Sequence, residues 1–200
     1  MAGMGQSLDG VRLPPLAAEE FSPELTEGTA PAQADFIAHI LGINGGRPSN
    51  VIATIARHPA LFRSYLPFSN HLYTSSTLDG RDRELLVLRT GWMCRARFEW
   101  AQHVNRGRAA GIDEREIAWL RRPAADGDWS DRDRMLVDLV DELHTTSTVT
   151  QPTWDRLAGY FDEQQILDAL FTVGQYHMVA FLTNACGTPL NDGAESFPEG

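Results

Sequence analysis

Glu163-Gln-Gln-Ile166-Leu167-Asp-Ala-Leu170-Phe171-Thr-Val173-Gly-Gln-Tyr176-His177-Met178-Val179-Ala-Phe181-Leu182-Thr-Asn-Ala-Cys186 reads as one helix, and that reading decides the fold class. Its apolar residues recur at three- and four-residue steps and leave little polar face, the pattern of a helix enclosed on most sides. The spacing predicts the central core helix of an all-α protein.

Outward from this stretch, helix follows helix with short joints. Pro152 sits in the first turn of a short helix through Leu157, and Ser130 with Asp131 and Asp133 opens residues 135–144. Asp113 and Glu116 have the spacing of a capping box, directly after a helix over 95–110 that stops at Gly111. Asp79 precedes a helix over 81–92, where Leu85, Leu86, Val87 and Leu88 run too continuously apolar for a surface element. Pro59 opens a helix that Pro67 should kink or shorten, and Asn50 is the expected N-cap of residues 51–57. A further helix is expected from Ala32, ended by Gly45 and Gly46. Residues 1–30, with Pro14, Pro15 and Pro23, read as an extended arm preceding a single helical domain over 31–200. Thr/Ser-rich segments such as 145–150 are too short and polar for strands. The echo of Leu72-Tyr-Thr-Ser-Ser-Thr-Leu78 in Leu143-His-Thr-Thr-Ser-Thr-Val149 suggests a degenerate repeat of a helical unit.

A chain of 200 residues with 42% hydrophobic content is long enough for one sizeable core and short for two. The formal charge of −10, with arginines dispersed among acids, argues against a nucleic-acid partner. The first twenty residues hold no basic start with an apolar run and no stretch that would cross a bilayer, so a soluble cytoplasmic protein with no membrane partner is expected. Cys94 and Cys186 alone give no disulfide framework.

The chemistry-bearing residues lie on two consecutive helices. Glu99 and His103 are four apart, so they share a face on which the carboxylate would orient the imidazole and raise its basicity. Glu84, on the preceding apolar helix, must be paired or shifted in pKa, as general acid/base carboxylates are. The same spacing also fits a solvated Glu99/His103 pair with Glu84 beside Arg81 or Arg83, and spacing alone leaves both readings open. Arg89, Arg95 and Arg97 are candidate forks for a substrate carboxylate. Trp92, Phe98 and Trp100 are candidate walls of a small apolar cavity, with core packing the alternative for each. His71, His103, His144 and His177 form no tight ligand spacing, so no metal site is expected.

Arg83-Glu84-Leu85, Glu99-Trp100-Ala-Gln-His103, Ala110-Gly111 and the cap over 113–117 together resemble the carboxymuconolactone decarboxylase family of the alkylhydroperoxidase D-like superfamily. The likeness extends weakly to Gly174-Gln-Tyr176-His177-Met178. It implies an alkylhydroperoxidase D-like helical bundle, homo-oligomeric as a dimer, trimer or hexamer, with Tyr176 and His177 on a helix near the pocket. In the peroxidase branch a Cys-x-x-Cys-x-x-x-His motif follows the glutamate; aligned on Glu84 and His103, its cysteine positions hold Ala96 and Glu99 here. The resemblance therefore implies a cofactor-independent lyase or isomerase working on a small carboxylate or lactone. His103 would be its proton shuttle, with Glu99 or Glu84 setting the tautomer. A thiol-dependent peroxidase using Cys94 and a non-catalytic scaffold of the same fold are the alternatives. Loops over 70–79 and 123–129 are expected to shape the pocket.

Overall fold

The computed structural model describes residues 10–17, 20 and 48–198. Among these the chain forms α1 (Asn50–Ile55), α2 (Pro59–Asn70), α3 (Gly80–Met93), α4 (Arg97–Ala109), α5 (Glu114–Trp119), α6 (Asp131–Thr146), α7 (Gln151–Tyr160) and α8 (Glu163–Cys186). A π-turn over His71–Ser75 follows α2, a 3-10 turn over Ala124–Asp126 precedes α6, and the described residues contain no strand. The helix expected from Ala32 and most of the 1–30 arm lie outside the described residues. Residues 10–17 carry no helix and run along the same chain: Arg12 and Leu13 amides donate to the Cys186 carbonyl, and the Leu16 amide to that of Ala53.

Most helix starts follow the capping chemistry in the sequence. Asp79 accepts from the Asp82 amide, Ser130 from that of Asp133, and Asp113/Glu116 and Asp162/Gln165 close reciprocal capping boxes. At the α4 end Gly111 takes φ +87, a region only glycine enters at little cost. Three expectations shift. Ser49, not Asn50, is the N-cap of α1, because the Asn50 amide group donates instead to the Pro189 and Leu190 carbonyls and ties down the C-terminal segment. Pro67 does not shorten α2, which continues to Asn70 before widening into the π-turn. Arg95 turns left-handed at φ +51 and Ala96 caps α4, so that helix starts at Arg97 instead of Arg95.

The core is centred on α3, which packs against α4, α6 and α8. Every residue from Glu84 to Gly91 is buried, as its continuous apolar run requires. The long α8 is instead an outer helix, a correction to its expected central place. One face is buried through Ile166, Ala169, Val173, Val179 and Ala180, while Leu167, Phe171, Met178 and Phe181 are exposed. Periodicity could not separate the two because this helix is apolar on its solvent side as well. Among the described residues α8 is the one helix long and apolar enough to cross a membrane, and half of its apolar window is buried against the other helices. Both copies of the Leu/Thr/Ser echo fall at helix joints, one before α3 and one before α7.

Candidate active site

Three helices and a joint converge beneath α2. From α3 comes Glu84, from α4 come Phe98, Glu99, Gln102, His103 and Arg106, and from α8 come Gln175, Tyr176 and Val179. The π-turn contributes Leu72 and Tyr73. That joint is held by Asp168 of α8, whose carboxylate accepts from the Thr77 amide, the Thr77 and Ser76 hydroxyls and the His71 ring. A cavity of about 110 Å³ lies between these side chains, with Tyr65 of α2 on its far wall. Glu84 itself stands behind His103 and does not line it.

His103 Nδ1 and Glu84 Oε2 are 2.7 Å apart, and both residues are buried. Arg106, one turn further along α4, places Nη1 3.4 Å from His103 Nε2. A guanidinium only donates, so Nε2 is the unprotonated nitrogen and Nδ1–H donates to Glu84. Burial, opposed only in part by Glu84, drives the imidazole below its ordinary pKa. Burial works against the charge on Glu84 too, yet His103, Arg106 and Arg83 hold its carboxyl below the usual value. The result is a carboxylate behind a neutral imidazole whose Nε2 lone pair meets Arg106 at the cavity wall. Tyr176 packs edge-on against the imidazole, with ring centres 5.0 Å apart, and fixes its plane.

Glu99 is not the partner of His103, which corrects the expected i,i+4 pair. Its carboxyl turns to Thr183 of α8, where Oε2 and Oγ1 are 3.1 Å apart. The same Thr183 oxygen lies 3.0 Å from the Val179 carbonyl. Thr183 thus donates to Glu99 and shares its hydroxyl with the Val179 carbonyl of its own helix. Burial outweighs that hydrogen bond and pushes the Glu99 carboxyl up to about 7.

The arginines singled out by sequence stand elsewhere. Arg89 is buried in a two-pronged ion pair with Asp141, both contacts 2.6 Å, and also donates to the Leu120 and Arg122 carbonyls. Arg95 and Arg97 are exposed and do not line the cavity. The cation at the site is Arg106, legible only as the next turn of the 99/103 face. Trp92 and Trp100 pack with Phe197 in the core, and only Phe98 of the expected aromatic wall reaches the cavity. The 123–129 loop does not line it either; Trp129 packs on Trp119. Sequence reasoning also missed Tyr65 and Gln175, whose amide donates to the Tyr65 hydroxyl at 2.6 Å while its buried Oε1 has no partner among the described residues.

His177 faces away from this cavity and meets Cys94 and His144, bringing together ligand-type atoms that no sequence spacing had suggested. Both cysteines are free. Burial, reinforced by Glu99, pushes the Cys94 thiol up to about 11.

Residues 59–142 match the model of the carboxymuconolactone decarboxylase family. No curated protein sequence matches the chain. Among solved structures, an uncharacterized peroxidase-related protein from Silicibacter sp. TM1040 superposes with TM-score 0.70 at 14% identity, covering 95% of this chain and 96% of that one. A second such protein, described as an alkylhydroperoxidase AhpD core from Ralstonia eutropha JMP134, gives TM-score 0.70 at 18% identity over 90% and 93% of the two chains. The debrominase Bmp8 gives TM-score 0.69 at 11% identity over 92% and 94%. At such identities these likenesses establish the fold, and the matched segment spans both helices of the Glu84/His103 pair. Residues 59–142 are thus similar to the carboxymuconolactone decarboxylase family, and the chain as a whole has an alkylhydroperoxidase D-like helical fold.

Proposed function

We propose that the Glu84–His103 pair is the base of a cofactor-independent proton-transfer enzyme, a lyase or isomerase acting on a small carboxylate or lactone. The observation that carries this reading is the buried 2.7 Å contact between Nδ1 and Glu84, made by a ring that lines the cavity. When Arg106 turns from Nε2 to the substrate's acid group, Nε2 accepts a proton from a carbon next to a carbonyl, and Glu84 stabilises the imidazolium that forms. Glu99, protonated up to about pH 7, returns a proton at a second carbon. In a decarboxylation the electron pair of the broken carbon–carbon bond enters a dienolate, and the same acid protonates it. Arg106 holds the substrate's acid group, and the Gln175 Oε1 acceptor takes a hydroxyl or water.

Cavity size bounds the substrate, since a cavity of roughly 150 Å³ admits benzene. At about 110 Å³ this one suits a compact acid or the reactive end of a longer one. The thiol alternative draws no support from the site, because Cys94 lies outside the cavity and its thiol stays protonated at neutral pH. A proton-transfer enzyme, unlike a scaffold, exchanges substrate carbon-bound hydrogen for deuterium. Incubating a panel of small unsaturated acids and lactones in D₂O and following proton loss and carbon dioxide release tests this. Exchange that His103→Ala abolishes is expected; a panel that neither binds nor exchanges removes the reading.

We also propose a homo-oligomer in which a second copy covers the outer face of α8. Leu167, Phe171, Gly174, Met178 and Phe181 recur at alternating four- and three-residue steps, the seam spacing of paired helices, and Gly174 has open space above it.

A further inference from the structure

Cys94, His144 and His177 come from three helices and take no part in the acid/base reading. Cys94 is the C-cap of α3, His144 lies in the last turn of α6, and His177 is midway along α8. On α8 one residue step rotates the side chain by about 100°, so His177 points away from the cavity that Tyr176 lines. His144 Nδ1 lies 3.0 Å from His177 Nε2 and 3.8 Å from Cys94 Sγ, and all three atoms fall within 4.8 Å of one another.

We propose that this triad is a binding site for a borderline-soft divalent cation, zinc in the first place, held by one thiolate and two imidazoles. Tetrahedral zinc sets neighbouring nitrogens about 3.3 Å apart and nitrogen and sulfur about 3.6 Å apart, given its bond lengths to each. Two edges of the triangle already lie within a few tenths of an ångström of those values; only the Cys94–His177 edge must contract, by up to about 1 Å.

Three further features favour a cation. The Val173 carbonyl accepts from His177 Nδ1 at 2.8 Å, so that ring is locked in the tautomer that presents the Nε2 lone pair. His144 Nδ1 must then supply the one proton between the two rings, and a metal ion replaces that proton without disturbing any other hydrogen bond. Carboxyl ends of both α3 and α6 face the site, and helix C-termini carry partial negative charge. Arg89, a nearby cation, is neutralised by Asp141. The backbone of Cys94 is held as well, through Asn184 Nδ2 donating to its carbonyl at 2.9 Å. All three ligands are half-buried, so the fourth position opens to water.

The test uses tag-free full-length protein, stripped with a chelator and titrated with Co²⁺. One equivalent should produce an intense thiolate-to-cobalt charge-transfer band with the visible bands of a four-coordinate ion, and Zn²⁺ should displace it stoichiometrically. Cys94→Ser should remove the charge-transfer band, His177→Ala and His144→Ala should each weaken Zn²⁺ binding more than about tenfold, and Cys186→Ser should change nothing. Zinc at about 100 times its Kd should raise the Tm by about 5–10 °C in the wild type and not in Cys94→Ser. Absence of the band, or its survival in Cys94→Ser or in both histidine variants with the helical circular dichroism intact, overturns the proposal. His103→Ala should bind cobalt like the wild type, which separates this site from the acid/base one.

Discussion

His103 Nδ1 donates to Glu84 Oε2 across 2.7 Å and so joins α4 to α3 where neither group reaches bulk water. The pair orients the imidazole and gives a hydrogen bond to a carboxylate buried on an otherwise apolar helix, whose charge Arg106 and Arg83 offset. Glu84→Gln preserves an acceptor for Nδ1–H but not the charge that stabilises the imidazolium. Turnover should fall about 100-fold or more with KM little changed, whereas Glu84→Leu should also lose about 3 kcal/mol of stability by leaving the ring unpartnered. Steady-state kinetics and urea unfolding of the two variants separate these effects, and an active Glu84→Leu would exclude the pair from the chemistry.

Arg106 and Arg89 should fail in different ways. Arg106→Gln removes the cation facing the cavity and should raise KM for acidic substrates more than it lowers kcat, with unfolding unchanged to within about 1 kcal/mol. Arg89→Ala strands Asp141 and frees the Leu120 and Arg122 carbonyls, the first of them buried, and should cost about 3–5 kcal/mol. Denaturation midpoints beside kinetics of both variants check the contrast.

Glu99 makes stability depend on pH with a defined sign. Its folded carboxyl ionises at about 7 against an ordinary value of 4.5, so the folded chain keeps a proton that the unfolded chain releases between those values. The contribution is complete below about pH 4.5 and is lost as pH rises through 7, to a total of about 3 kcal/mol. Glu99→Gln should abolish that loss and gain on the wild type between pH 5 and pH 8. Urea midpoints at those two pH values measure it, and parallel pH profiles for the two proteins would mean that Glu99 ionises normally.

The apolar seam of α8 should govern assembly. Leu167→Gln with Phe171→Gln should shift the sedimentation coefficient to that of a monomer while the helical signal persists. A wild type that already sediments as a monomer at micromolar concentration would rule out the seam as an interface.

Much of the fold was legible along the chain because its signals are local. Asp79, Asp113, Ser130 and Gly111 mark helix ends through hydrogen bonds spanning only a few residues, and Leu85 to Leu88 announce a helix buried all round. The same pattern misled at Glu163–Cys186, where an apolar outer face imitates a buried one. The motif over Glu84, Glu99 and His103 identified the two helices that meet at the cavity. It could not say which carboxylate faces the ring, because helical spacing fixes only a shared face and side-chain rotamers choose the partner. Across the packing of α3 on α4, Glu84 reaches His103, while Thr183 of α8 draws Glu99 aside.

Contacts between residues 50 or more positions apart belonged to the tertiary structure alone. Arg89 with Asp141, and Cys94 with His144 and His177, leave no periodic trace in the sequence because each pair or triad is brought together by helix packing. Local hydrogen bonding and apolar periodicity are encoded residue by residue, and they determined an all-helical chain with its helix ends. Which polar groups share a buried space depends on how those helices cross, and that was decided only when the whole core closed.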